Sequence, residues 1–61
     1  MEKEQLAKIA LRYVDKGYDY EQLMGGDDLY HSSPEEKEVC GELWSECREI
    51  GFKAFSEKYN I

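Results

Sequence analysis

Sixty-one residues is the length of one small domain, near the lower limit for folding without disulfides or a metal. Fourteen Asp and Glu against eight Lys and Arg give a formal net charge of −6. That balance opposes direct binding to nucleic acid or to an anionic membrane, where neutralised phosphates supply most of the affinity. No apolar run approaches the roughly 20 residues that span a bilayer, and the opening Met-Glu-Lys-Glu-Gln leads into an amphipathic pattern rather than a signal peptide. The expectation is a cytoplasmic protein with a single helical domain over 1–61.

The first predicted helix covers residues 2–16. Leu6, Ala7, Ile9, Ala10, Leu11, Tyr13 and Val14 fall on one broad arc at helical spacing, with Lys8, Arg12, Asp15 and Lys16 opposite. Basic residues gather in its C-terminal half, where they suit the helix dipole, and Gly17 stops it. Residues 19–24 read as a short second helix. Asp19 is its N-cap, Gln22 stands in the capping-box position, and Gly25-Gly26 terminate it. Leu23 and Met24 are its packing residues, and with Tyr18 and Tyr20 they are expected to plug against the first helix. The segment 25–32, GGDDLYHS, reads as a loop that Leu29 and Tyr30 tack back onto the core.

The strongest signal lies in residues 33–59. Ser33 as N-cap, Pro34 in the first turn and Glu36 three residues after the cap specify a helix start. Projected at about 100° per residue, Val39, Cys40, Leu43, Trp44, Cys47, Ile50, Gly51, Ala54 and Phe55 share one arc. Glu35, Glu38, Glu42, Glu46 and Glu49 form a tight arc nearly opposite, and Gly41, Phe52 and Tyr59 occupy a third sector. The stripe Cys40-Leu43-Cys47-Ile50-Ala54 has the 3-4 alternation of a coiled-coil seam for about two heptads. No alternating β-branched run exists, so strands are not expected.

The predicted fold is therefore all-α: a helical hairpin of a ~15-residue and a ~26-residue helix with a short helix between them. The two long elements differ by roughly 16 Å at 1.5 Å per residue, so the shorter one cannot cover its partner. Trp44, Phe52, Phe55 and Tyr59 are the surplus, and in so small a chain they point to self-association as a homodimer or to a partner groove. A bend near Gly51 would instead fold 52–59 back over the first helix. Gly41 and Gly51 each cost about 1 kcal/mol against Ala in a helix interior, a sign that a ring or backbone comes close.

Chemistry-bearing constellations are weak. Cys40 and Cys47 lie about 10.5 Å apart along a helix, too far for a disulfide or for one ion within that helix, and both read as reduced core thiols. With His31 they make at most three soft ligands, so no metal or other cofactor is expected. Carboxylates are plentiful, but a chain this short rarely builds a cleft that shifts their pKa, and no Gly-rich phosphate loop is present. Catalysis is not expected. A helix-turn-helix DNA reader is rejected too: ten residues separate the short helix from a next helix that opens on Glu35-Glu36-Lys37-Glu38, which repels phosphate.

Two interaction surfaces remain. Trp44 and Phe55 read first as core, but Trp44, Phe52 and Tyr59 also form the aromatic flank for self-association or a hydrophobic protein partner. The row Glu38, Glu42, Glu46, Glu49, part of an acidic ridge about 21 Å long, would serve a basic partner. The leading expectation is a protein-binding regulator, inhibitor or small subunit, of a size and charge that fit a phage or mobile-element accessory protein. The alternative is a nucleic-acid mimic whose carboxylates block a DNA- or RNA-binding protein.

Overall fold

The computed structural model describes residues 2–61, which form four α-helices. These are α1 (Lys3–Asp15), α2 (Tyr20–Met24), α3 (Pro34–Ile50) and α4 (Phe52–Tyr59), with a 3-10 turn (Asp27–Leu29) between α2 and α3. No strand occurs among the described residues, and none of their helices is long and apolar enough to cross a membrane.

Local chemistry explains the boundaries. The amide of Tyr18 donates to Tyr13 O (2.9 Å) and that of Gly17 to Val14 O (3.0 Å), with Gly17 at φ +79°: a Schellman stop for α1. The stop is sealed by the rings of Tyr13 and Tyr18, whose centroids lie 5.4 Å apart. Both expected capping boxes form. Gln22 N donates to Asp19 Oδ1 (2.8 Å) while Asp19 N donates to Gln22 Oε1 (2.9 Å). In α3, Glu36 N donates to Ser33 Oγ (3.2 Å) and Ser33 N to Glu36 Oε1 (3.0 Å). Asn60, at φ 56°, ends α4 in the left-handed conformation, with Ile61 N returning to Ser56 O at 3.0 Å.

The single ~26-residue helix does not form. Gly51 sits at φ 89°, ψ 151°, backbone that is essentially reserved for glycine, and breaks it into α3 of 17 residues and α4 of 8. Gly51 N still donates to Cys47 O (2.9 Å), and Phe55 N to Gly51 O (3.0 Å), so one residue closes α3 and opens α4. The bend lays α4 against both α1 and α3. It also corrects the expected buried arc: Ile50 is 42% exposed and Ala54 is exposed, because the apolar stripe is interrupted three residues after Cys47 and resumes in a new direction at Phe55.

The core runs along the α1–α3 contact. Ala7, Ala10, Cys40 and Cys47 are fully buried, and these short side chains let the two helices approach closely. Leu6, Ile9, Leu43 and Trp44 surround them, and Leu23, Leu29 and Phe55 complete the same cluster from three other elements. Full burial of a side chain of leucine or phenylalanine size is worth about 1.5–3 kcal/mol. Leu29 does tack the loop to the core, but Tyr30 does not: it is 71% exposed and its ring meets that of its neighbour His31, at 4.8 Å. Tyr20 likewise packs on α3 rather than α1. Its ring lies over Gly41, where a Cβ would come within 2.8 Å of Tyr20 Cε1, and meets Trp44 edge-on at 5.6 Å. The approach expected at Gly41 is thus made by an aromatic ring.

Candidate functional site

The surplus aromatics go to different places. Phe55 is fully buried, and Tyr59 leans on it with centroids 4.7 Å apart. Trp44 is only 8% exposed, flanked by Tyr20 and by the Arg48 guanidinium 5.1 Å from its ring centroid. It is a core residue, as the first of its two readings has it. Phe52 alone of that flank stays open, at 55% exposure.

Phe52 lines a groove of about 740 Å³ between α1 and α4. Leu11 and Ile61 supply the rest of its apolar lining, and Lys8, Arg12 and Lys53 its positive charges, against Asp15 and Glu57. Three of the chain's eight cations therefore stand around this exposed phenylalanine ring, Lys8 paired with Glu4 and Arg12 with Asp28, on a molecule whose net charge is −6. Sequence periodicity placed Leu11 on the arc of the first helix but carried no sign of the groove, which exists only because α4 folds back.

The acidic ridge is also reorganised. Glu46 accepts from Lys58 Nζ and from Tyr59 Oη, tying α3 to α4 across the Gly51 bend. The Lys58 contact first, then the Tyr59 hydroxyl, holds the Glu46 carboxyl below its ordinary range. The same carboxylate raises the pKa of Lys58 and of Tyr59. Lys3 adds its ammonium 5.7 Å from the centroid of the Tyr59 ring. Tyr59 and Glu46 thus meet in an intramolecular clasp, whereas Glu35, Glu38, Glu42 and Glu49 remain exposed on the outer face of α3.

Neither thiol is set up for chemistry. Cys40 Sγ donates to Leu6 O at 3.5 Å, and burial first, then the charge of Asp28, pushes its pKa up to about 11. Burial likewise raises Cys47, followed by the charge of Glu46. Thiols held this way are poor nucleophiles. Among the described residues, no three His, Cys, Asp or Glu side chains gather to hold a metal ion. Comparison with known protein families, curated proteins and solved structures finds no match.

Proposed function

We propose that this chain works by binding protein, as a regulator, inhibitor or small subunit, and that its first partner is a second copy of itself. The observation that carries the reading is Phe52. A phenylalanine at 55% exposure shares an open groove with Leu11 and Ile61, beside Lys8, Arg12 and Lys53, and that contiguous apolar lining supports cover by another chain. Association there would keep the carboxylates of α3 outward, so that repulsion between two copies of charge −6 stays modest. Glu38, Glu42 and Glu49 would then be left to face a basic partner.

Sedimentation across a concentration series tests this directly. Wild-type chain is expected to pass from monomer to dimer in the micromolar range. Phe52→Ser is expected to weaken the dimer by about tenfold or more, which is about 1.4 kcal/mol, while the unfolding midpoint stays nearly constant, since the ring is exposed. A wild-type chain that remains monomeric, or a Phe52→Ser dimer as tight as wild type, overturns the reading.

The mimic reading draws support from four exposed carboxylates on one straight helix, a row about 21 Å long. It loses Glu46 to the clasp with Lys58. Glu38→Lys with Glu42→Lys separates the two readings: it should abolish a salt-sensitive complex with a nucleic-acid-binding protein and leave association through Phe52 intact.

A further inference from the structure

We propose that two copies associate by exchanging α4: Gly51 straightens, α3 and α4 run on as one helix, and each α4 occupies the seat on α1 and α3 of the other copy. This rests on the self-association proposed above and specifies how it is achieved. The first observation is the apolar pattern, which reads through the break. Cys40, Leu43, Cys47, Ile50 and Ala54 keep the 3-4 alternation of a seam along a continuous helix. In the bent chain the seam stops at Cys47, and Ile50 and Ala54 face outward. Their positions are spent on a geometry that the monomer does not adopt, and Phe52, just beyond the bend, is exposed with them.

The second observation is how little holds the bend. It is a single residue, and nothing lies within 4 Å of the position a Gly51 Cβ would take. Only the missing side chain permits φ 89°, ψ 151°. The two bonds that frame the bend, Gly51 N to Cys47 O and Phe55 N to Gly51 O, are already those of a continuous helix. Straightening Gly51 would add the three between them: Phe52 N to Arg48 O, Lys53 N to Glu49 O, and Ala54 N to Ile50 O. No side chain caps α4 at its N-terminus in the bent form, so these donors gain partners in the straight one.

The third observation is that the attachments of α4 are portable. Phe55 in the core and Lys58 and Tyr59 on Glu46 make the same contacts whether the seat belongs to their own chain or to another. Exchange therefore keeps the closed contacts and adds a crossing of two straight helices near Gly51, where Ile50, Phe52 and Ala54 find cover. A glycine at that crossing lets the backbones come close. Short hinges favour this outcome over a floppy open monomer.

The test joins mass to connectivity. Gly51→Ala penalises the bend and suits the straight helix, so its dimer should dissociate at a concentration at least about tenfold lower than that of wild type, with helical content equal or higher. An isotopically light and a heavy copy are then unfolded together, refolded, and treated with a zero-length carbodiimide, which joins Lys58 Nζ to the Glu46 carboxylate. Peptide mapping should find mixed light–heavy Glu46–Lys58 crosslinks in the dimer fraction. A dimer whose Glu46–Lys58 crosslinks are all within one chain overturns exchange and leaves self-association standing. A folded Gly51→Ala chain that stays monomeric, alongside a monomeric wild type, removes both. Should Gly51→Ala not fold, a chain with a Gly-Ser-Gly-Ser insertion after Gly51 decides the matter, since it cannot run on as one helix. Loss of the dimer supports exchange, and an unchanged dimer overturns it.

Discussion

The α1–α3 contact and the seat of α4 are built on opposite plans. Along α1 and α3, small fully buried residues (Ala7, Ala10, Cys40 and Cys47) bring two backbones together, and larger side chains close over them. Its cross-contact of a polar kind, Cys40 Sγ to Leu6 O, is itself buried. In α4 one residue, Phe55, is buried; Tyr59 and Ile61 pack half-buried against the core, and the polar ties to α3 are those of Glu46 with Lys58 and Tyr59. The first contact works by shape over a long strip and has one register. The second is one buried ring in a socket, flanked by Tyr59 and Ile61 and tied to α3 through one carboxylate. A helix held in that way is the one a folded chain can release.

The largest expected effect separates the two plans. Phe55→Ala should cost about 3–5 kcal/mol and Leu43→Ala about 2–5 kcal/mol, since both side chains are buried in the core. For a domain whose total stability lies at the low end of about 5–15 kcal/mol, either is severe. The distribution of the loss should differ. With Phe55→Ala, amides of α4 are expected to exchange with solvent much faster while those of α1 and α3 keep most of their protection, because α4 opens as a unit. Leu43→Ala should lower protection across α1 and α3 together. Equal loss in all helices from both variants would show that α4 is an integral part of the strip, and the contrast would fall.

Tyr20 on Gly41 is an intermediate case, a ring seated on bare backbone yet 44% exposed. Gly41→Ala should gain about 1 kcal/mol from helix propensity and lose about 1–3 kcal/mol as its Cβ drives the ring off. The net expectation is a loss of about 1 kcal/mol. In a Tyr20→Ala background the same substitution should stabilise by about 1 kcal/mol. A double-mutant cycle in urea measures the difference, and a coupling near zero would mean that the ring is not seated there in solution.

Much of this was legible in the residues. Both capping boxes, the stop at Gly17 and the buried arc of the first helix follow from short-range chemistry, which a sequence states directly. The break at Gly51 is different in kind. A glycine in a helical pattern tolerates both a helix and a bend, and the choice depends on whether α4 finds a socket, which is a tertiary matter. What differs downstream follows from that one ambiguity: Ile50 leaves the buried arc, Glu46 pairs with Lys58 and Tyr59, and Tyr59 leans on Phe55. Trp44 takes the core place that its first reading gives it. Its cover comes from Tyr20 and Arg48, and the first of these reaches it across the gap left by Gly41. Phe52 keeps its exposure in the groove that the bend opens between α1 and α4.

The smallest effect concerns the Glu46 clasp, and its sign can be worked out. Glu46 titrates lower in the fold than its ordinary 4.5, so its contribution is present above that value and disappears as pH falls through the folded pKa. Lys58 and Tyr59 are raised above 10.5 and 10.0, so theirs are present below those values and fade as pH rises through the folded ones. The clasp is therefore complete from about pH 4.5 to 10 and open at both extremes. The pair is partly exposed, at 54% for the Lys58 side chain and 25% for Glu46, so the effect is small and screened by salt. Amide protection in α4 should fall in acid before that of α1, and Glu46→Gln should flatten this early fall while slightly lowering protection at neutral pH. Parallel loss in α1 and α4 would instead assign the acid response to the fourteen carboxylates as a whole. An early loss confined to α4 would make one carboxylate the control on whether the helix beyond Gly51 stays docked.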